Sequence, residues 1–214
     1  MAAVLQFPVS RRDFLVGSAN AAVTATVTAA GALVVGFPTT AAAQGAAAEI
    51  TAWVVVQPDE RIVIRIARSE MGQGTLTGLA QLVAEELDCD WARVSTEYPT
   101  PGQNLARKRV WGNFSTGGSR GIRESQDYVR KGGAAARMML VQAAANDWQV
   151  PASECRAAAG VISHAASSRR TTYGKVAAAA AQLPVPTEVV LKDPKDWRLA
   201  GKRLARLDTV DKTN

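Results

Sequence analysis

Arg61-Ile62-Val63-Ile64-Arg65-Ile66-Ala67 leads into Glu70-Met71-Gly72-Gln73-Gly74-Thr75-Leu76-Thr77 and on to Leu79, Val83 and Leu87. In the first part Ile62, Ile64 and Ile66 alternate with Arg61, Val63 and Arg65, the period of two of a strand with one buried face. In the last, Leu76, Leu79, Val83 and Leu87 fall on one side of a helix running from about Thr75 to Leu87. A strand, a glycine loop and a helix are therefore expected in immediate succession. Outward from this unit, Ile50 to Gln57 reads as a second strand, joined to the first through the turn-forming Pro58-Asp59-Glu60. Arg93 to Tyr98 reads as a further strand, ended by Tyr98-Pro99-Thr100-Pro101-Gly102. A long helix is predicted from Ser119 or Gly121 to Trp148, striped by Ile122, Val129, Ala136, Leu140 and Ala143, with Gly132-Gly133 permitting close packing. Val161 to Ser163 is a short strand and Tyr173 to Gln182 an alanine-rich helix. Lys192 to Asn214 is charged and reads as an extended connector. The order of elements predicts an α+β fold, a small mixed sheet with helices packed on one face.

Gly72 and Gly74 at a strand-to-helix junction permit positive φ and close approach of a ligand to the main chain. The helix beyond them offers N–H groups and the positive end of its dipole, a place for an anion. The Gln73 amide adds donors and an acceptor able to read a polar ring edge. A tight turn accounts for the same glycines, and the loop matches neither the dinucleotide fingerprint nor the phosphate loop. A second stretch, Asn113-Phe114-Ser115-Thr116-Gly117-Gly118-Ser119-Arg120-Gly121, again mixes glycines with hydroxyls ahead of a helix. Arg120 is expected in the first helical turn, where its charge opposes the macrodipole, a misfit that a bound anion would relieve. A plain Ser119 cap with a solvated Arg120 is the competing reading. Two such loops together suit one elongated, doubly anionic ligand such as a pyrophosphate-containing cofactor.

Further toward the N-terminus, Ser10-Arg11-Arg12-Asp13-Phe14-Leu15 has the form of a twin-arginine export signal. The uncharged stretch Val16 to Phe37 and the small-residue site Ala41-Ala42-Ala43 follow it. Export by that route delivers an already folded chain to the periplasm or the periplasmic face of the inner membrane, often with a cofactor loaded beforehand. A membrane anchor of about 20 uncharged residues is the alternative. The net charge of +6 is dispersed along the chain and suits an anionic small molecule or an acidic partner better than nucleic acid. Cys89 and Cys155 sit in no metal-ligand spacing and read as buried thiols. With His164 the one histidine among 214 residues, a histidine-rich metal site and a triad needing a second histidine are excluded.

Ser69-Glu70-Met71-Gly72-Gln73-Gly74-Thr75-Leu76-Thr77, followed by Leu82-Val83-Ala84-Glu85-Glu86-Leu87, resembles the molybdenum-cofactor subunit of the xanthine dehydrogenase and aldehyde oxidase family. Ser115 to Gly121 resembles that family's second cofactor-cradling segment. Tyr173-Gly174-Lys175-Val176-Ala177 with Leu183-Pro184-Val185-Pro186 is similar to the stretch that follows. The leader and the position of this block resemble the exported isoquinoline 1-oxidoreductase and aldehyde dehydrogenase large (beta) subunits. Trp197-Arg198-Leu199-Ala200-Gly201-Lys202 through Leu207-Asp208-Thr209 looks like the linker that branch places before its next domain. The resemblance implies a signal peptide over 1–43, a molybdopterin-cofactor-binding subdomain over 44–190, part of a larger molybdenum-cofactor-binding domain, and a linker over 191–214 towards further protein.

By the same resemblance the cofactor is a molybdopterin cytosine dinucleotide. Gly72, Gln73, Gly74 and Thr75 would lie along its pterin and molybdenum end, with Ser115, Thr116, Gly117, Gly118, Ser119 and Arg120 on its phosphates. The implied reaction is hydroxylation of an N-heterocycle carbon or an aldehyde carbon, with water as oxygen source and a glutamate as base. Implied partners are the remainder of the large subunit, an iron–sulfur small subunit carrying 2Fe-2S clusters, and a cytochrome c as electron acceptor. Family large subunits are several times longer, and their catalytic glutamate belongs to a part not contained here. No catalytic residue and no metal ligand is assigned in this chain, Glu85 and Glu86 being read as a solvated helix face. A fragment without the remaining walls of the site is expected to be inactive alone. A non-catalytic exported anion-binding or assembly module is the alternative function.

Overall fold

The computed structural model describes residues 24–27, 33–36 and 46–213. The twin-arginine motif and the Ala41-Ala42-Ala43 site lie outside the described residues. The chain divides into two compact units, Met1–Gln44 and Gly45–Asn214. In the first, β1 (Thr24–Val27) pairs antiparallel with β2 (Leu33–Gly36). Among the described residues no helix is long and apolar enough to cross a membrane.

The second unit is built on a four-stranded mixed sheet in the order β3 (Ala48–Thr51), β4 (Val54–Val56), β5 (Ile62–Arg65), β6 (Val94–Glu97). The first three strands run antiparallel and β5–β6 is parallel, so the connection between them must cross over. Helix α1 (Thr75–Leu87) makes that crossover. Ile62 and Ile64 are buried while Val63 and Arg65 are partly exposed, the alternation read from the sequence. On the buried face, Val54, Val56, Ile62 and Ile64 meet Leu79, Val83 and Leu87 of α1, Val129 and Leu140 of α3 (Gln126–Trp148), and Tyr173 and Val176 of α4 (Tyr173–Ala180). A short helix, α2 (Pro101–Ala106), precedes the second glycine loop, and Thr209–Thr213 forms α5. A separate antiparallel sheet, β7 (Cys155–Ala158), β8 (Val161–His164) and β9 (Arg169–Thr172), lies in sequence between α3 and α4. The fold is α+β, as expected.

Several local expectations change. Ile50 to Gln57 is not one strand but the β3–β4 hairpin, turning at Ala52-Trp53 with Thr51 opposite Val54. No glycine, proline or asparagine announces that turn. It is fixed from outside by Trp53, which stacks on Tyr128 of α3 at 5.1 Å and fills the space over Gly132. The long helix begins at Gln126 rather than near Ser119, because Ser119 takes a left-handed φ of 62° and residues 117–125 run in turns. Its first-turn charge is Asp127, which suits the macrodipole, so Arg120 is no misfit at a helix start.

Glu85 and Glu86 are 2% and 0% exposed rather than solvated. The cover is residues 192–208, expected as an extended connector and here lying against α1. One Glu85 oxygen accepts the successive N–H groups of Arg198, Leu199 and Ala200 at 2.8, 2.5 and 3.0 Å, and the other accepts from Lys192 Nζ at 3.1 Å. Glu86 accepts from Arg130 Nε at 2.9 Å and from the Lys192 N–H at 3.0 Å. Burial opposes ionisation of Glu85, and these donors overcome it, holding the carboxyl below its ordinary value.

Candidate functional site: a two-loop platform

Both glycine loops lie at the N-terminal end of α1. Gly72 and Gly74 adopt φ of 102° and 80°, conformations glycine takes without strain. The N–H groups they were expected to leave open are occupied. The Glu70 carboxylate turns back and accepts from the N–H of Gly72 at 2.8 Å, Gly74 at 2.9 Å and Leu76 at 3.0 Å. Its side chain is only 4% exposed and pairs with Arg206 at 3.1 Å, while Arg206 also donates to the Gly72 carbonyl. Burial raises the cost of charge on Glu70, but the three N–H groups and Arg206 outweigh it and lower its pKa. Gln73 is likewise engaged within the loop, its Oε1 accepting from Met71 N–H and its Nε2 donating to the Ser69 carbonyl at 3.0 Å. One N–H and one lone pair of that amide are left over to meet a ligand.

The second loop is tied to the first by Thr116 Oγ1, which accepts from Ser69 N–H at 2.9 Å. Thr75, 2% exposed, packs so closely on Gly121 that a Cβ there would come within 2.6 Å of its hydroxyl. Thr75 thus supports the platform from beneath. Gly118 and Ser119 take successive left-handed φ of 66° and 62° within a run of turns ahead of α3. Gly117, Gly118 and Ser119 are exposed, and among the described residues no acceptor meets their N–H groups. Ser115 Oγ accepts from Arg120 at 3.0 Å, Arg120 pairs with Glu124 at 3.3 Å, and Arg123 donates to the Gly118 carbonyl at 3.3 Å. A Cβ built on Gly72, Gly74, Gly117 or Gly118 would meet nothing within 4 Å, so open space lies over both loops.

The platform depends on residues that no motif singles out. Arg68, 6% exposed, donates to Ser125 Oγ at 2.9 Å, to the Asn113 carbonyl at 2.7 Å and to the Ser115 carbonyl. Ser125, fully buried, in turn donates to the Arg120 carbonyl and accepts from Tyr128 OH. A cation closing an apolar strand just before a glycine loop is the available signal for Arg68. Nothing local points to Ser125.

The remaining candidates lie elsewhere. A cavity of about 1000 Å³ is lined by Asp88, Arg137, Cys155, Leu183, Val185 and others, and includes none of the predicted site residues. It lies at the far end of α1, about 20 Å of helix away. Cys89 and Cys155 are free buried thiols, as expected; burial pushes Cys89 up to about 12 and raises Cys155, so neither is a ready nucleophile. His164 is buried between Ser167 Oγ at 2.7 Å and Glu154 at 3.0 Å. No group of metal-ligating side chains occurs among the described residues.

Residues 12–205 match the family model of the molybdopterin cofactor-binding domain. The beta subunit of isoquinoline 1-oxidoreductase from Brevundimonas diminuta is 37% identical over 248 aligned residues, covering 96% of this chain and 30% of that relative. A membrane-bound aldehyde dehydrogenase (pyrroloquinoline-quinone) of Gluconacetobacter polyoxogenes is 32% identical, over 98% of this chain and 27% of its own. A nicotinate dehydrogenase subunit of Pseudomonas putida is 28% identical, over 77% of this chain and 13% of its own. The chain thus spans less than a third of the length of each of these relatives. A match that runs through both glycine loops and the helix between them shows that this chain belongs to the molybdopterin cofactor-binding domain family.

Proposed function

We propose that this chain is the cofactor-binding portion of a molybdenum hydroxylase large subunit that oxidises an N-heterocycle or an aldehyde with water as oxygen source. The observation that carries the reading is the two-loop platform, with open space over four glycines and a row of unengaged N–H groups beside Arg120 and Arg123. These residues fit the cofactor. The N–H groups of Gly117, Gly118 and Ser119, with the Ser115 hydroxyl and the Arg120 guanidinium, would hold its phosphates. Gly72, Gln73 and Gly74 would lie along the pterin, where absent side chains permit close approach and the spare Gln73 donor and acceptor fix orientation. Thr75 and Thr116 keep the two loops in register. When bound, the molybdenum centre supplies the two-electron redox chemistry, and this chain's part is to bind and orient it.

Further parts of the proposal are the cytosine dinucleotide form, electron transfer to an iron–sulfur subunit with 2Fe-2S clusters and on to a cytochrome c, and twin-arginine export to the periplasm. They are supported by the Ser10–Leu15 motif and the resemblance of the loops. Replacing Ser115 to Gly121 by alanines is expected to abolish cofactor retention in the assembled enzyme. Retention at the original level would remove the phosphate role from this loop.

The second reading is a non-catalytic exported anion-binding or assembly module, which the unengaged N–H groups of Gly117, Gly118 and Ser119 would serve equally well. Under that reading the complete native protein would carry no molybdenum.

A further inference from the structure

We propose that Glu70 is a built-in anion, a positioning residue that shapes the first glycine loop and bars ligand anions from the N-terminus of α1. The geometry is specific. One carboxylate oxygen takes the N–H groups of Gly72 and Gly74 and the other that of Leu76, so the orphan donors where strand becomes helix are satisfied from within. This carboxylate reaches forward from outside the helix, before two glycines of positive φ, so it dictates the loop path as well as capping the helix. Arg206 closes the arrangement by donating to both the carboxylate and the Gly72 carbonyl, binding residues 206–208 to the loop. Tyr98 OH accepts the Glu70 N–H at 3.3 Å, fixing the residue's own backbone from the β6 side.

The consequence concerns specificity, and rests on the cofactor-platform reading above. A phosphate placed on the first loop would meet a buried carboxylate and occupied donors. The ligand portion over Gly72-Gln73-Gly74 must therefore be an uncharged hydrogen-bonding surface, while anionic groups go to Gly117-Gly118-Ser119. Glu70 sets the direction in which an elongated ligand lies.

The test is amide exchange and inorganic phosphate titration on the full chain, followed residue by residue by NMR for wild type, Glu70→Ala and Glu70→Gln. In Glu70→Ala, exchange at Gly72, Gly74 and Leu76 is expected to rise about tenfold or more, as for loss of hydrogen bonds to a charged group. Added acetate should restore it, since a small carboxylate can enter the vacated cradle. In wild type, phosphate should shift Gly117, Gly118 and Ser119 but not Gly72, Gly74 and Leu76. In Glu70→Ala it should shift both sets. Should Glu70→Ala fail to fold, Glu70→Gln keeps the volume, and protection should be lost where the amide nitrogen replaces an accepting oxygen. Unchanged exchange in the variants, no response to acetate, or phosphate shifts at Gly72 and Gly74 in wild type would each overturn the proposal. Phosphate shifts absent from Gly117 to Ser119 in every protein would instead remove the phosphate-loop reading, leaving the acetate result to decide the role of Glu70.

Discussion

Arg68 is the residue on which the second loop hangs. Its guanidinium reaches a hydroxyl and two carbonyls of the segment 113–125 from a buried position, a set of directions that a lysine ammonium on a flexible stem cannot reproduce. Arg68→Lys is expected to fold with a loss of about 1–3 kcal/mol. It should also retain less cofactor, because the Ser115–Arg120 backbone loses its support. Urea unfolding and cofactor content check the two parts separately. Among the described residues, four lowered carboxyls, Glu49, Glu70, Glu85 and Asp208, share the pH dependence, and Glu70 and Glu85 are the two that each accept three backbone N–H groups. Both carboxyls are held below the ordinary 4.5, so the unfolded chain takes up their protons first as pH falls. Their stabilisation is complete above 4.5 and is lost as pH drops through the lower folded values. Urea midpoints should be level from about pH 7 to about pH 5 and fall below that. In Glu85→Gln the acid fall should be shallower, from a lower neutral midpoint. None of this is legible locally: Glu85 and Glu86 look like any solvated pair, and their donors lie in residues 192–200 and at Arg130.

At the scale of elements, α1 is legible to its ends because Leu76, Leu79, Val83 and Leu87 report a face that packing uses without exception. The α1–α3 contact shows the opposite case, in which the glycine pair is legible but its partners are not. A Cβ on Gly133 would sit 2.5 Å from the Val83 carbonyl oxygen, which belongs to a helix backbone and cannot turn away. Gly133→Ala is therefore expected to cost about 1–3 kcal/mol despite alanine's better helix propensity. Gly102 in α2 has only the Thr100 hydroxyl nearby, at 3.9 Å, and Gly102→Ala should be neutral or stabilising by up to about 1 kcal/mol. Paired denaturation curves would test the contrast; equal effects would mean the helices separate at no cost. The β3–β4 turn and the start of α3 escape a reading of the sequence for one shared reason. Trp53 on Tyr128, and Arg68 on Ser125, set the backbone there through contacts distant in sequence; Ser125 does occupy the N-cap of α3, but its hydroxyl makes no capping bond and is engaged with Arg68, Tyr128 and the Arg120 carbonyl.

For the molecule as a whole, the α+β class, the two loops and their adjacency to α1 can be argued from 61–87 and 113–121. The use of each loop cannot. Pattern alone makes both of them anion sites, whereas the first already holds an anion of its own and the second presents the unengaged donors. Whether this platform holds a molybdenum cofactor is decided by molybdenum and nucleotide analysis of the protein purified from its native host with its bound partners. Molybdenum and a cytidine nucleotide are expected in equal amounts, equimolar with the chain. Purified complexes containing the chain but neither molybdenum nor nucleotide would rule the cofactor out.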